Sequence, residues 1–379
     1  MQLAYKTVRG AAWGERASQI VIAHGLLGSS SNWLTVARRL AEHELLRCRL
    51  HEIHMLDMRN HGDSPHVCSH TNAALSSDIE RFTLQQQREH KKFCTRGVQE
   101  GNMVWIGHSM GGFAVMGALL RRANEVALLK STLEELQGRC ERGDFYGWHD
   151  SQGYAKEMRD VSAEFGLSEE EPLSSRLFFD DDRGATCDFC PTVKAAIIVD
   201  IAPSTSIMHR QGNDVSPLEM LEAMKAVNLT EVHSSTDAEN ELKNAGVVDK
   251  FMRSFLLTNL RFKSKGCGAE WRVNLPVIHS HYSLISLGLL DWYIAAERQG
   301  ASCAGAAAIN KVAPQRSQLP VLFVFGEKSP YNNPAHVQLI DLFFSNVTRV
   351  EIPAAGHFVH YDKMYEFIDA VVPFLADHL

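Results

Sequence analysis

The chain has 379 residues, 45% hydrophobic and 22% charged, with 26 Gly and 12 Pro; this is ordinary globular usage and excludes disorder or low complexity as the main theme. At about 150 residues per folding unit, the length predicts roughly two to three units. Lys and Arg number 38 against 45 Asp and Glu, a net charge of −7, and with no basic stripe a nucleic-acid partner is not expected.

The opening Met1-Gln2-Leu3-Ala4-Tyr5-Lys6 has no charged segment followed by an apolar one, so no signal peptide is expected. No run approaches the ~18 apolar residues of a membrane span, so no transmembrane segment is expected either. Short apolar runs rich in β-branched residues then alternate with helix-period segments. The strands are predicted at 19–24, 51–57, 103–107, 195–200, 319–326 and 347–352. The helices are predicted at 32–43, 72–89, 111–122, 334–344 and 363–379. That alternation predicts an α/β fold, a mostly parallel sheet with helices on both faces. The continuous run Ala195-Ala196-Ile197-Ile198-Val199 suits a strand buried on both sides.

Two segments interrupt the pattern. Residues 124–192 are acidic and irregular, with Glu169-Glu170-Glu171 and Asp180-Asp181-Asp182 and a helix signal only near 127–142. They read as a surface insertion, which long loops permit because closure entropy grows slowly with length. Cys187 and Cys190, the close pair among eight cysteines, fall here. A zinc site needs a second such pair, so no metal is expected, and scattered thiols point to a reducing, intracellular compartment. Residues 204–317 are mostly helical. Val248, Phe251, Met252, Phe255 and Leu256 mark one helix face, Leu218, Leu221 and Met224 another, and 275–299 a later helix, with Trp271-Arg272-Val273-Asn274 as a loop before it. A helical block between strands of one sheet is expected to form a lid over the crevice at the strands' carboxyl ends. The domain reading is therefore a core of 1–203 and 318–379 with a lid at 204–317.

The chemistry centres on Gly107-His108-Ser109-Met110-Gly111-Gly112, between a predicted strand and a predicted helix. This is G-x-S-x-G in strand–turn–helix context, which exposes Ser109 Oγ at a helix N-terminus as a nucleophile. A serine needs a base, and His357, in Pro353-Ala354-Ala355-Gly356-His357-Phe358 just past the last strand, is the candidate. His108, next to the nucleophile, is expected to point away from it. Two backbone N–H groups should hold the developing oxyanion: that of Met110 and that of Leu26 in His24-Gly25-Leu26-Leu27-Gly28. The acid has two candidates, with a third reading in which neither serves. Ser329 occupies the turn where it is usually sought, leaving Glu327 beside it, while Asp200 ends the preceding strand and is favoured. In the run from Leu56 to Pro65, Asp57 and Arg59 are expected to order the loop through hydrogen bonds and an ion pair, and His61 or His66 to line the crevice.

His24 to Ser30 with Asn32-Trp33, Asp57 to Gly62 with Ser64-Pro65-His66, and the Ser109 turn together resemble the α/β-hydrolase superfamily. Within it they are similar to the abhydrolase domain-containing protein 11 group and small bacterial acyl esterases. Asp200-Ile201-Ala202-Pro203, Leu256 to Leu260 with Trp271 to Asn274, and Ala355-Gly356-His357 fit the same pattern. The resemblance implies the α/β-hydrolase fold, hydrolysis of small-molecule acyl esters or thioesters, no cofactor, and the Asp200 position as acid. It also implies mitochondrial residence in animals, where the chain's start favours the cytoplasm. A C–C bond hydrolase or lyase of the same fold, or a non-catalytic ligand-binding relative, is the alternative; Ser109 excludes the carboxylate nucleophile of dehalogenases and epoxide hydrolases.

Overall fold

A computed structural model of the protein describes residues 1–12, 18–91, 101–123, 193–204, 216–263, 268–289 and 316–379. The predicted insertion at 124–192 with its helix signal and Cys187/Cys190, and the second half of the helix predicted at 275–299, lie outside the described residues.

Seven strands form one sheet: β1 (Tyr5–Arg9), β2 (Ser18–Ala23), β3 (Leu50–Leu56), β4 (Met103–His108), β5 (Val193–Val199), β8 (Val321–Gly326) and β9 (Val347–Ile352), in the order β1-β3-β2-β4-β5-β8-β9. All neighbours are parallel except β1 and β3. The six parallel strands are those predicted. Strand β1 was not predicted: Tyr-Lys-Thr-Val-Arg is largely exposed and charged, as suits a sheet edge. The side chains of each central strand divide between two cores. Val21, Trp105, Ile198 and Phe323 face α2 (Asn72–Lys91), α3 (Met110–Ala123) and α8 (Pro334–Phe343). Ile20, Ile22, Val104, Ile106 and Ile197 face α1 (Leu34–Glu42) and α9 (Met364–His378). Burial on both faces is why these strands read as unbroken apolar runs.

A second group comprises α4 (Pro217–Ala226), α5 (Ser235–Asn244), α6 (Lys250–Leu257), α7 (Leu275–Leu287) and a hairpin of β6 (Leu260–Phe262) and β7 (Ala269–Trp271). Its helices start where polar caps dictate: Ser216 and Ser234 accept from the N–H groups of Glu219 and Asp237, and Asp249 from that of Met252. Leu221, Met224, Leu242, Leu256 and Ile278 pack into a core of its own, joined by Leu27 from the loop after β2. Two expectations need correcting here. Trp271 ends a strand rather than lying in a loop, because Ala269–Trp271 pairs with Leu260–Phe262. On α6 only Leu256 is fully buried; Val248 precedes the helix and is 78% exposed, and Phe251 is 37% exposed. Leu218 is likewise exposed while Leu221 and Met224 are buried.

The group is fastened to the sheet through polar contacts. Asn274 N–H donates to the Asn60 carbonyl at 2.8 Å and Asn259 Nδ2 to the Leu27 carbonyl at 2.8 Å. Asn72 Nδ2 donates to the Ile285 and Gly288 carbonyls. No helix among the described residues is long and apolar enough to cross a membrane.

Candidate active site

Ser109 stands between β4 and α3 with φ 52°. A non-glycine residue in the left-handed region costs about 1–2 kcal/mol, and tight packing holds it there. A Cβ on Gly107 would fall 2.4 Å from the Gly111 carbonyl oxygen, and one on Gly111 would fall 2.3 Å from that of Ala23. Only glycines let the strand, the helix and β2 approach this closely. Ser109 N–H donates to the Val199 carbonyl at 3.1 Å, and its own carbonyl accepts from Phe113 N–H at 3.1 Å, starting α3.

Asp200 lies just past β5, also at positive φ (53°), and its side chain is fully buried. His357 Nδ1–H donates to Asp200 Oδ2 at 2.7 Å. The Gly326 N–H donates to Oδ1 at 2.8 Å, and the Ser329 hydroxyl donates to Oδ2. Burial pushes the Asp200 carboxyl above the ordinary carboxylate value, and His357, Ser329 and Gly326 act against that rise. Glu327 takes another role: its Oε2 accepts from Ala354 N–H at 2.7 Å. Of the two acid candidates, the geometry thus brings Asp200 to His357 and leaves Glu327 bracing the turn before it. The Tyr331 ring packs 4.5 Å from that of His357. No hydrogen bond links Ser109 Oγ to His357, but both line one cavity of about 930 Å³. Such contacts commonly tighten only when substrate is bound.

The loop after β2 forms another wall. Leu26 and Leu27 line the cavity, and Leu27, at φ 59°, donates its N–H to His61 Nε2 at 3.1 Å. The Leu26 N–H has no acceptor among the described residues, and the Met110 N–H, first in α3, has none within its helix. Two buried imidazoles support this loop. His61 Nδ1–H donates to the Arg59 carbonyl and His24 Nδ1–H to that of Gly25, leaving His24 Nε2 to accept from Met58 N–H. Burial holds both below their ordinary value, His61 to about 3, so they stay neutral with fixed tautomers.

Three expectations about this region change. Neither His61 nor His66 lines the crevice: His61 is buried under Leu27, and His66 bonds to the Arg272 carbonyl on the surface. Asp57 and Arg59 do order their loop, but not with each other. Asp57 accepts from the Ser30 and Asp63 N–H groups, which outweigh burial and hold its carboxyl below the usual value. Arg59 instead pairs with Asp78, Nε to Oδ2 at 2.6 Å and Nη2 to Oδ1 at 2.9 Å. His108 does not turn away; it lines the cavity, with its ring 4.7 Å from that of His357. Sequence reasoning also passed over Ser329 as a donor. Its place in the turn after β8 was noticed, but its partner lies 129 positions away.

The rest of the cavity is built largely from the helical group and the segment after His357: Met220, Phe251, Met252 and Phe255 line it together with Phe358 and Tyr361. Phe255 and Phe251 lie 5.0 and 5.3 Å from the Phe358 ring. Phe251, Met252 and Phe255 of the apolar face of α6 thus form part of the ceiling of the cavity. Among the described residues no group of His, Cys, Asp and Glu is placed to hold a metal ion.

A family model for the alpha/beta hydrolase family matches residues 20–370. The sn-1-specific diacylglycerol lipase ABHD11 of Mus musculus is 26% identical over 361 residues, covering 94% of this chain and 80% of that protein. Esterase YbfF of Escherichia coli is 23% identical over 364 residues, covering 95% and 94%. Among solved structures, a marine microorganism esterase superposes with a TM-score of 0.60 at 21% identity, covering 98% of this chain and 99% of that one. Motif, sheet order and family match agree, and the chain belongs to the alpha/beta hydrolase family.

Proposed function

We propose that the protein is a serine hydrolase that cleaves acyl esters or thioesters through Ser109, His357 and Asp200. The observation that carries this reading is the 2.7 Å bond from His357 Nδ1 to buried Asp200, with His357 and the strained Ser109 on one cavity. Relatives named as a lipase and an esterase support ester hydrolysis in general.

In the proposed reaction Ser109 Oγ attacks the acyl carbonyl while His357 Nε2 takes its proton. Asp200 keeps the other imidazole nitrogen protonated and stabilises the imidazolium. The N–H groups of Leu26 and Met110 hold the oxyanion. His357 then protonates the departing alcohol or thiol, and water attacks the acyl-enzyme by the same route to release a carboxylic acid. The helical group within 204–317 serves as a lid, its Met220, Met252 and Phe255 taking a lipophilic acyl chain.

The test is hydrolysis of p-nitrophenyl esters of graded chain length by the wild type and Ser109→Ala. Wild-type turnover lost in the variant, together with labelling by a fluorophosphonate, is the expected result. Equal inactivity of both proteins toward esters, with the wild type still labelled by the fluorophosphonate, would instead favour C–C bond cleavage on the same framework.

A further inference from the structure

The cavity wall beside His357 carries a second imidazole. His108 is 3% exposed, and its Nε2–H donates to the main-chain carbonyl of His357 at 3.0 Å. Packing fixes the ring in this pose. His360 stands edge-on at 4.7 Å, Phe358 lies 5.8 Å away, and a Cβ on Gly25 would fall 2.8 Å from His108 Nδ1. The neighbouring backbone groups are held elsewhere: Gly356 N–H by Asp362, and the Phe358 carbonyl by Tyr361 and Asp362. The His357 carbonyl has no main-chain donor among the described residues. His108 is what grips it.

We propose that His108 is a positioning residue: by holding the His357 carbonyl while Asp200 holds the imidazole, it keeps the free ring nitrogen turned into the cavity that Ser109 lines. This deepens the serine-hydrolase reading and rests on it. Two anchors are needed because a carboxylate on Nδ1 alone leaves the ring free to swing about that bond. A displacement of about 1 Å can cost about a hundredfold in rate. The titratable groups facing His357 are Asp200, His108, His360 and Tyr331. Burial holds both His108 and His360 in the neutral form, the neighbouring imidazoles adding to the effect. A donor at this position that carried charge would oppose the imidazolium forming at 4.7 Å. A neutral imidazole supplies the hydrogen bond without that cost.

The experiment compares His108→Phe, which keeps the ring and removes the donor, with His108→Gln, which keeps a neutral donor. Two readouts are taken: kcat and KM on a p-nitrophenyl ester, and the far-downfield proton resonance of the His357–Asp200 hydrogen bond, identified by its loss in Asp200→Asn. His108→Phe is expected to lower kcat about 10- to 100-fold with KM nearly unchanged and to shift or broaden the resonance. His108→Gln is expected to restore most of both. Should His108→Phe fail to fold, His108→Asn takes its place, being too short to reach the carbonyl. The proposal is overturned if the variant lacking the donor keeps wild-type kcat and resonance, or if His108→Gln is as impaired as His108→Phe. Wild-type protein that neither hydrolyses esters nor reacts with a fluorophosphonate would sink the serine-hydrolase reading instead. The resonance would still report whether His108 holds His357.

Discussion

Asp200 and Glu327 show how far composition and position can decide a residue's role. Both carboxylates end strands on the same edge of the sheet, yet one meets His357 and the other an amide of the turn before it. Asp200→Asn is therefore expected to lower kcat by about 10³- to 10⁴-fold with the fold intact, since an amide can stabilise the wrong imidazole tautomer. Glu327→Gln should stay within an order of magnitude of wild type; steady-state kinetics on one activated ester compares them. The strand ends and glycine turns that carry Ser109, His357 and Asp200 were legible because each has a fixed place in the local pattern. The roles of His108, Ser329 and His61 were not. Each depends on a partner between 34 and 249 positions away, and no local pattern encodes that partner.

Elements built of continuous apolar runs were readable, and those of short or polar runs were not. The five inner parallel strands and β9 could be placed from their β-branched character. The edge strand β1 and the three-residue strands β6 and β7 carry too little apolar pattern to stand out. Periodicity placed the apolar face of α6 but carried it one residue too far back, to Val248, ahead of the Asp249 cap. The loop after β3 depends on a tertiary ion pair that no spacing reveals. Arg59 is fully buried, and its bidentate partner Asp78 projects from α2. From this loop Asp57 holds Ser30, His61 holds Leu27 and Asn60 anchors α7 through Asn274. Removing one partner of a buried pair leaves an uncompensated charge, so Asp78→Ala is expected to destabilise the protein by about 3–5 kcal/mol. Urea unfolding should show a lower midpoint. An unchanged midpoint would mean that Arg59 is sufficiently held by its remaining contacts.

Across the whole molecule, buried neutral histidines make stability depend on pH. Burial lowers His61 and His360 from 6.5 to about 3 and His54 to about 4. The unfolded chain binds protons at these sites before the folded chain does. Their contribution is complete above about pH 6.5 and is lost as pH falls toward 4 and then 3, at about 2 kcal/mol for each histidine between pH 7 and 5. Asp200, pushed above 3.8, works in the opposite sense over the lower part of that range. Urea midpoints are expected to fall steadily from pH 7 to pH 5, and a flat profile would contradict the burial of these rings. The layout of the sheet also separates chemistry from growth. Ser109 and Asp200 occupy the ends of β4 and β5, whereas α3 sets out from Ser109 and runs back, so that Ala123 and the start of β5 at Val193 lie at the opposite edge. A gene can lengthen or shorten the stretch joining those two points while the constellation on the far side keeps its coordinates. The junction between α3 and β5 is thus a place where a lineage can acquire new sequence without renegotiating its reaction.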